Sequence, residues 1–355
     1  MKRLALLLGS LLVVSAAASA KEVVPAPVVV QETPVQIVEK EVIVYREKAP
    51  EWRPSGFLDV QERYYGKTEN KKEEVKNGGW NDHNKYGRLQ IETGVQMTEN
   101  QSLDVRVRSF QGWNHENEEK DDAVRVRYHY DHGHLGDSKV DMNSLVRYEK
   151  EGGKQTAEYR LNFDFAEYLF NNDFVKTTTA TVGPRYIYSW KGHDDDYTNT
   201  VGLYADFINE LPLGFSTEIE LDGIHYNWNQ RPVDDEGHKK DFTVSVAAKL
   251  MHNYNLYAAD NYSIDWAFEG GYDTFDYSNR KVFKTADYDL TKSREHAAYS
   301  VYAEPSLTLT YNATKFIDVY GTIGAEYRNW AVTANSEASH WRWQPYATVG
   351  VKTTF

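Results

Sequence analysis

The 355-residue chain has no cysteine, so neither disulfides nor thiolate metal sites contribute to its stability or chemistry. After its first few residues it has no apolar run approaching the ~18 residues of a membrane-crossing helix, and its mean hydropathy is -0.67. A helical membrane protein is thereby excluded. A transmembrane barrel is not, because a barrel strand shows lipid only every second side chain and stays low in mean hydropathy. An excess of basic charge is also lacking: the net charge is -13, which argues against nucleic-acid partners. No Gly-x-Ser-x-Gly string occurs, and no Ser is set beside a His with an orienting amide or carboxylate in a recognisable motif, so an enzyme is not expected. No segment calls for a cofactor. What the chain has in excess is aromatic: 26 Tyr, 9 Trp and 14 Phe, suited to girdles at two membrane interfaces. On composition alone a secreted β-sandwich stays open.

The N-terminus reads as a secretory signal peptide over residues 1–20: Lys2 and Arg3, an apolar run from Leu4 to Val14, then Ala18-Ser19-Ala20. The apolar stretch is too short for a membrane helix, and its removal takes the net charge from -13 to about -15. Residues 21–53 carry Pro25, Pro27, Pro34 and Pro50 through Val- and Glu-rich sequence, which blocks continuous helix or central strand and predicts an extended periplasmic linker.

Residues 54–355 form the third region, in which apolar and polar side chains alternate to the end. Leu58, Val60 and Tyr64 alternate with Asp59, Gln61 and Arg63; Leu103, Val105 and Val107 alternate with Asp104, Arg106 and Arg108; Val124, Val126 and Tyr128 alternate with Arg125, Arg127 and His129. Charges on one strand face would cost several kcal/mol each in a protein core, and in bulk water the apolar face would need a second sheet to cover it. Lipid on one side and a hydrated lumen on the other satisfy both faces. The fold class is therefore all-β, a transmembrane antiparallel up-and-down barrel of about 14 strands, with 16 open if two longer segments split. Short connections at 98–101, 133–137, 211–214 and 312–315 read as periplasmic turns. Longer ones at 66–85, 113–122, 229–240 and 276–294 read as extracellular loops. The last strand ends in Phe355, the aromatic expected of an assembly signal for the barrel-assembly machinery.

Several strings carry a resemblance: Leu4-Ala5-Leu6-Leu7-Leu8-Gly9-Ser10, the segment from Leu169-Phe170-Asn171-Asn172 to Thr177-Thr178-Thr179, Phe268-Glu269-Gly270-Gly271-Tyr272-Asp273, Gly324-Ala325-Glu326-Tyr327-Arg328-Asn329-Trp330 and His340-Trp341-Arg342-Trp343-Gln344-Pro345. In these the chain resembles the fusobacterial major outer-membrane porins along its whole length. The resemblance implies a general diffusion porin in the outer membrane, a homotrimer, and surface loops that act as antigens and adhesive contacts. The loops around 66–85 and 276–294 depart from that family's pattern, which leaves the adhesion partners open. Outer-membrane lipid and lipopolysaccharide are the surroundings such a barrel would have. A surface adhesin or structural barrel, alone or beside a channel role, is the alternative function.

About fourteen strands ~4.8 Å apart and tilted ~40° close at a backbone diameter of roughly 28 Å, leaving on the order of 15 Å inside two side-chain layers. The inward charges expected on early strands are Arg63, Arg88, Arg106, Arg108, Arg125, Arg127, Arg147 and Arg160; those on later strands are Asp206, Glu218, Glu220, Asp265, Glu269, Glu304, Asp318 and Glu326. A cationic wall would face an anionic one and set a field across the pore. Against that stands the plainer reading of solvated faces and local ion pairs, since Asp59, Glu92, Asp104, Asp141 and Asp164 sit among the arginines.

Three histidines, His129, His132 and His134, are considered for a metal and set aside, because Arg127 repels a cation and the other two fall in a proposed turn. The acidic runs Glu116–Asp122, His193–Asp196 and Asp234–Glu236 read as solvated loop tips, with divalent cations bridging lipopolysaccharide as the alternative. Tyr128, Tyr130, Tyr186, Tyr188, Trp190, Trp266, Tyr272, Tyr311, Trp341 and Trp343 are expected outside, in the two girdles.

Overall fold

The computed structural model describes residues 52–69, 85–112, 122–192, 196–282, 296–329 and 341–355. The expected signal peptide and all but the end of the expected 21–53 linker lie outside them, as do 70–84, 113–121, 193–195, 283–295 and 330–340, and with them most of the acidic runs Glu116–Asp122 and His193–Asp196.

Alternation of β-branched and aromatic with polar residues produces strands wherever it runs unbroken. Seven make the first half of the circle: β1 Ser55–Tyr65, β2 Tyr86–Thr98, β3 Gln101–Gly112, β4 Ala123–His134, β5 Asp141–Glu151, β6 Lys154–Asp164 and β7 Lys176–Lys191. The other half is β8 Asp196–Glu210, β9 Phe215–Asn229, β10 Lys240–Ala259, β11 Tyr262–Ser278, β12 Ala297–Thr314, β13 Ile317–Asn329 and β14 Trp341–Thr354. Each pairs antiparallel with its neighbours in sequence, and β1 pairs with β14, so the sheet is a closed 14-stranded barrel.

Closure leaves no strand edge unpaired. At the seam Leu58 faces Thr353, Val60 faces Val351 and Tyr64 faces Ala347. The last residue completes the ladder: the Gly56 amide donates to the Phe355 carbonyl at 2.9 Å, and the Phe355 amide donates to the Gly56 carbonyl at 3.0 Å. A Cβ at Gly56 would stand 2.9 Å from the Phe355 ring and collide with the Gly94 carbonyl.

Both ends of the barrel strand series, Ser55 and Thr354, lie at one rim, together with the turns at 99–100, 135–140, 211–214, 260–261 and 315–316. At the opposite rim lie the strand ends Tyr65, Tyr86, Gly112, Ala123, Glu151, Lys154, Lys191, Asp196, Asn229, Lys240, Ser278, Ala297, Asn329 and Trp341. The rims sort as the sequence expects, but length alone does not sort every connection. On the long-loop rim, β5 and β6 are joined only by Gly152 and Gly153, whose φ angles of 55° and 76° are those of a two-residue hairpin. On the short-turn rim, 165–175 is an eleven-residue connection with a single helical turn at Ala166–Tyr168. Asp164 explains it: its carboxylate accepts from the Ala166 amide at 2.8 Å, the Ala180 amide at 3.2 Å and the Thr181 hydroxyl at 2.9 Å, folding the connection back on β7.

The faces are inverted relative to a soluble protein. Leu58, Val60, Val146, Val201, Leu203, Ile219, Leu309, Ile323 and Val349 are exposed, while Asp59, Gln61, Arg63, Arg106, Arg125, Arg160, Glu218 and Glu304 are buried. Contiguous apolar surface on this scale does not persist in water. All ten expected girdle aromatics have outward parity; Tyr128 is opposite Leu103 and Val146, Trp266 opposite Tyr254 and Leu307, and Trp343 opposite Tyr327. No helix among the described residues is long and apolar enough to cross a membrane.

Candidate functional site: the barrel lumen

Directly paired residues of an antiparallel sheet share a face, so the register traces the inner wall from strand to strand. Asp59 faces Glu92, Glu92 faces Arg106, Arg106 faces Arg125, and Arg125 faces Glu149. Each sequence-predicted lumen residue falls on this inward parity. Arg63, Arg88, Arg106, Arg108, Arg125 and Arg160 are buried; Arg127 and Arg147 are half-buried. Glu218, Glu269, Glu304 and Glu326 are buried; Asp206, Glu220, Asp265 and Asp318 are half-buried. The arginines occupy β1 to β6 and the acids β8, β9 and β11 to β13.

On the basic half four arginine pairs stand directly opposite one another: Arg63 and Arg88, Arg106 and Arg125, Arg127 and Arg147, Arg160 and Arg185. Like charges so placed destabilise a sheet. Carboxylates offset part of this. Glu158 is 2.7 Å from Arg160, 2.9 Å from Arg147 and 3.2 Å from Arg185, and Asp104 is 2.8 Å from Arg127 and 3.5 Å from Arg125. Ion pairs therefore mix with the wall, while arginine stays in excess.

The acidic half contains cations the sequence reading did not single out. Lys249 lies 3.1 Å from Glu218, and Arg328 is 2.8 Å from Asp273 and bonds Glu326. Arg328 sits two residues after Glu326, so the same alternation pointed to it. Arg185 follows Gly183 and Pro184, which interrupt the apolar pattern and hid it. Inward aromatics were also missed: Tyr65 stacks on Tyr86 at 4.3 Å, Tyr346 packs beside them, and the Arg63 guanidinium lies 4.3 Å from the Tyr346 ring centre. Arg63 reaches past β14 and β13 to Glu304 on β12, 3.5 Å away.

Of the acids expected among the arginines, Asp59, Glu92 and Asp104 face the lumen. Asp164 staples a connection, and Asp141 pairs with His134 at 2.7 Å at the short-turn rim. His132 and His134 end β4 rather than lying in a turn. His129 hydrogen-bonds Asp104 at 3.2 Å, and His132 hydrogen-bonds Ser144 at 2.7 Å on the outer face. No motif foretold that Ser–His pair, which has no carboxylate on the second ring nitrogen among the described residues. In the loop between β9 and β10, Asp234 and His238 are bonded at 2.7 Å with Glu236 beside them.

No protein-family model and no curated protein matches the chain. Among solved structures it is similar to one described as a bacterial polysaccharide outer membrane secretin, at 12% identity and a TM-score of 0.41, covering 84% of this chain and 98% of that one. The NanC porin matches at 12% identity and a TM-score of 0.36, covering 84% and 100%. The anion-selective porin from Comamonas acidovorans matches at 9% identity and a TM-score of 0.35, covering 85% and 99%.

Proposed function

We propose that the chain is an outer-membrane diffusion channel that passes small hydrophilic solutes and ions through a water-filled lumen and catalyses no reaction. One observation carries this reading: a closed 14-stranded wall with its charges inside and its aliphatic residues outside. Such a wall is stable only with lipid around it and a polar phase within.

The segregation of arginine on the first half and carboxylate on the second supports a transverse field, which orients water and dipolar solutes and disfavours apolar ones. Partial neutralisation on each side supports weak ion selectivity. The exposed belt supports outer-membrane lipid and lipopolysaccharide as surroundings. Phe355 in the closing strand suits recognition by the barrel-assembly machinery. From the sequence and its resemblance we also propose the homotrimer, the surface-loop contacts, the 1–20 signal peptide and the 21–53 linker.

A liposome-swelling assay with sugars of increasing size tests the reading. Vesicles containing the refolded chain should swell in small sugars and progressively less in larger ones. Swelling no faster than in empty vesicles would leave an adhesin or structural barrel, and altered lipid would indicate an enzyme.

A further inference from the structure

Within the basic half, Arg88, Arg106, Arg108 and Arg125 on β2, β3 and β4 differ from the arginines around Glu158. Burial covers all four, yet Arg88 Nε, Arg106 Nη1, Arg108 Nη2 and all three Arg125 nitrogens have no hydrogen-bond partner among the described residues. Their nearest carboxylates stand off: Arg106 is 3.7 Å from Glu149, and Arg125 is 3.5 Å from both Glu92 and Asp104. Arg88 and Arg108 have no ion-pair carboxylate among the described residues. Arg108 is anchored through Nε by the Gln90 side-chain oxygen at 2.7 Å, and Gln90 itself donates to Glu92 at 3.1 Å.

Buried donors without acceptors and like charges side by side both disfavour the empty wall. A group with negative charge and several acceptor oxygens relieves both at once. Guanidinium forks match the planar or tetrahedral oxygens of carboxylate and phosphate in paired hydrogen bonds, which a spherical halide does not exploit.

We infer that these four arginines form an oxyanion subsite in the channel wall that takes the carboxylate or phosphate group of a passing solute. The inference rests on the channel reading above. Access to the buried row would come from a rotamer change in Arg88, which no carboxylate among the described residues holds.

The test is single-channel current of the refolded chain in planar bilayers, with inorganic phosphate, and in a second arm citrate, replacing chloride at constant ionic strength. The current should fall with a saturable dependence on at least one of the two probes. In the Arg88→Gln/Arg108→Gln variant the half-saturating concentration should rise about tenfold or more, as expected for loss of charge-assisted bonds. Removing two mutually repelling cations favours folding, and a heat-modifiable band verifies the barrel. Lys315→Gln, which deletes a cation in the β12–β13 turn, should keep the wild-type value. A current linear in both probes, or an unchanged half-saturation in the double variant, would overturn the subsite and leave the channel standing. A chain that conducts no ions would overturn the channel reading itself.

Discussion

Val105 and Arg106 are neighbours in sequence and belong to opposite solvents. Val105 is opposite Thr93 and Val126 on the lipid side, whereas Arg106 is buried inside, opposite Glu92 and Arg125. Val105→Arg should therefore cost ~2–4 kcal/mol if the site is near the midplane, because it forces a charge into hydrocarbon. Arg106→Ala should cost under about 1 kcal/mol. It removes one member of a like-charge pair, and Glu149 keeps Arg147 at 3.7 Å. Urea unfolding of the refolded proteins in lipid vesicles measures both; a larger loss for Arg106→Ala would reverse the faces of β3. Gly56 offers a second residue-scale prediction. Gly56→Val places branched atoms against the Phe355 ring and the Gly94 carbonyl, so it should lower the yield of heat-modifiable barrel severalfold. An undiminished yield would mean that the seam is not as tight as its hydrogen bonds suggest.

At the scale of the element, alternation read directly from sequence pointed to about fourteen strands and named inward residues on β1 to β6, β8, β9 and β11 to β13, because a period of two leaves no freedom once one face is assigned. It also sorted the rims by loop length, except that on the long-loop rim β5 and β6 are joined by two residues and β7 and β8 by four, and on the short-turn rim β6 and β7 by eleven. Gly152-Gly153 forms a tight hairpin among long loops because two left-handed residues suffice to reverse a strand pair. The 165–175 connection is long among short turns because Asp164 binds it down. What alternation could not show was which inward groups meet. Arg63 with Glu304 is a contact across two intervening strands, and Glu158 with three arginines depends on side-chain reach from β5, β6 and β7. Lys249 and Arg328 are buried on the same inward face, cations within a half of the chain whose named inward charges are acids. The arginine row on β2 to β4 yields a further prediction. Replacing Arg106, Arg108, Arg125 and Arg127 together by Ala should move the reversal potential towards cations, most clearly at low salt where screening is weakest. An unchanged potential with intact conductance would show that these groups do not line the conduction path.

For the molecule as a whole, the barrel has no ordinary apolar core. Among the described residues most buried side chains are polar or charged while the aliphatic ones are largely exposed, and cohesion comes from an unbroken ring of backbone pairing together with lumen ion pairs. The chain from Lys21 should accordingly refold only when detergent or lipid is supplied, run as a heat-modifiable species and give a strand-rich circular-dichroism spectrum; a helical spectrum would contradict the fold. The central claim, lipid on one face and water on the other, is open to a direct test because the chain has no native cysteine. Single cysteines placed in turn at 103 to 108 on β3, in protein refolded into vesicles, would be reacted with a membrane-impermeant maleimide. Cysteines replacing Asp104, Arg106 and Arg108 should label rapidly, and those replacing Leu103, Val105 and Val107 should resist. Uniform labelling, uniform protection or the opposite alternation would contradict a water-filled channel with this wall.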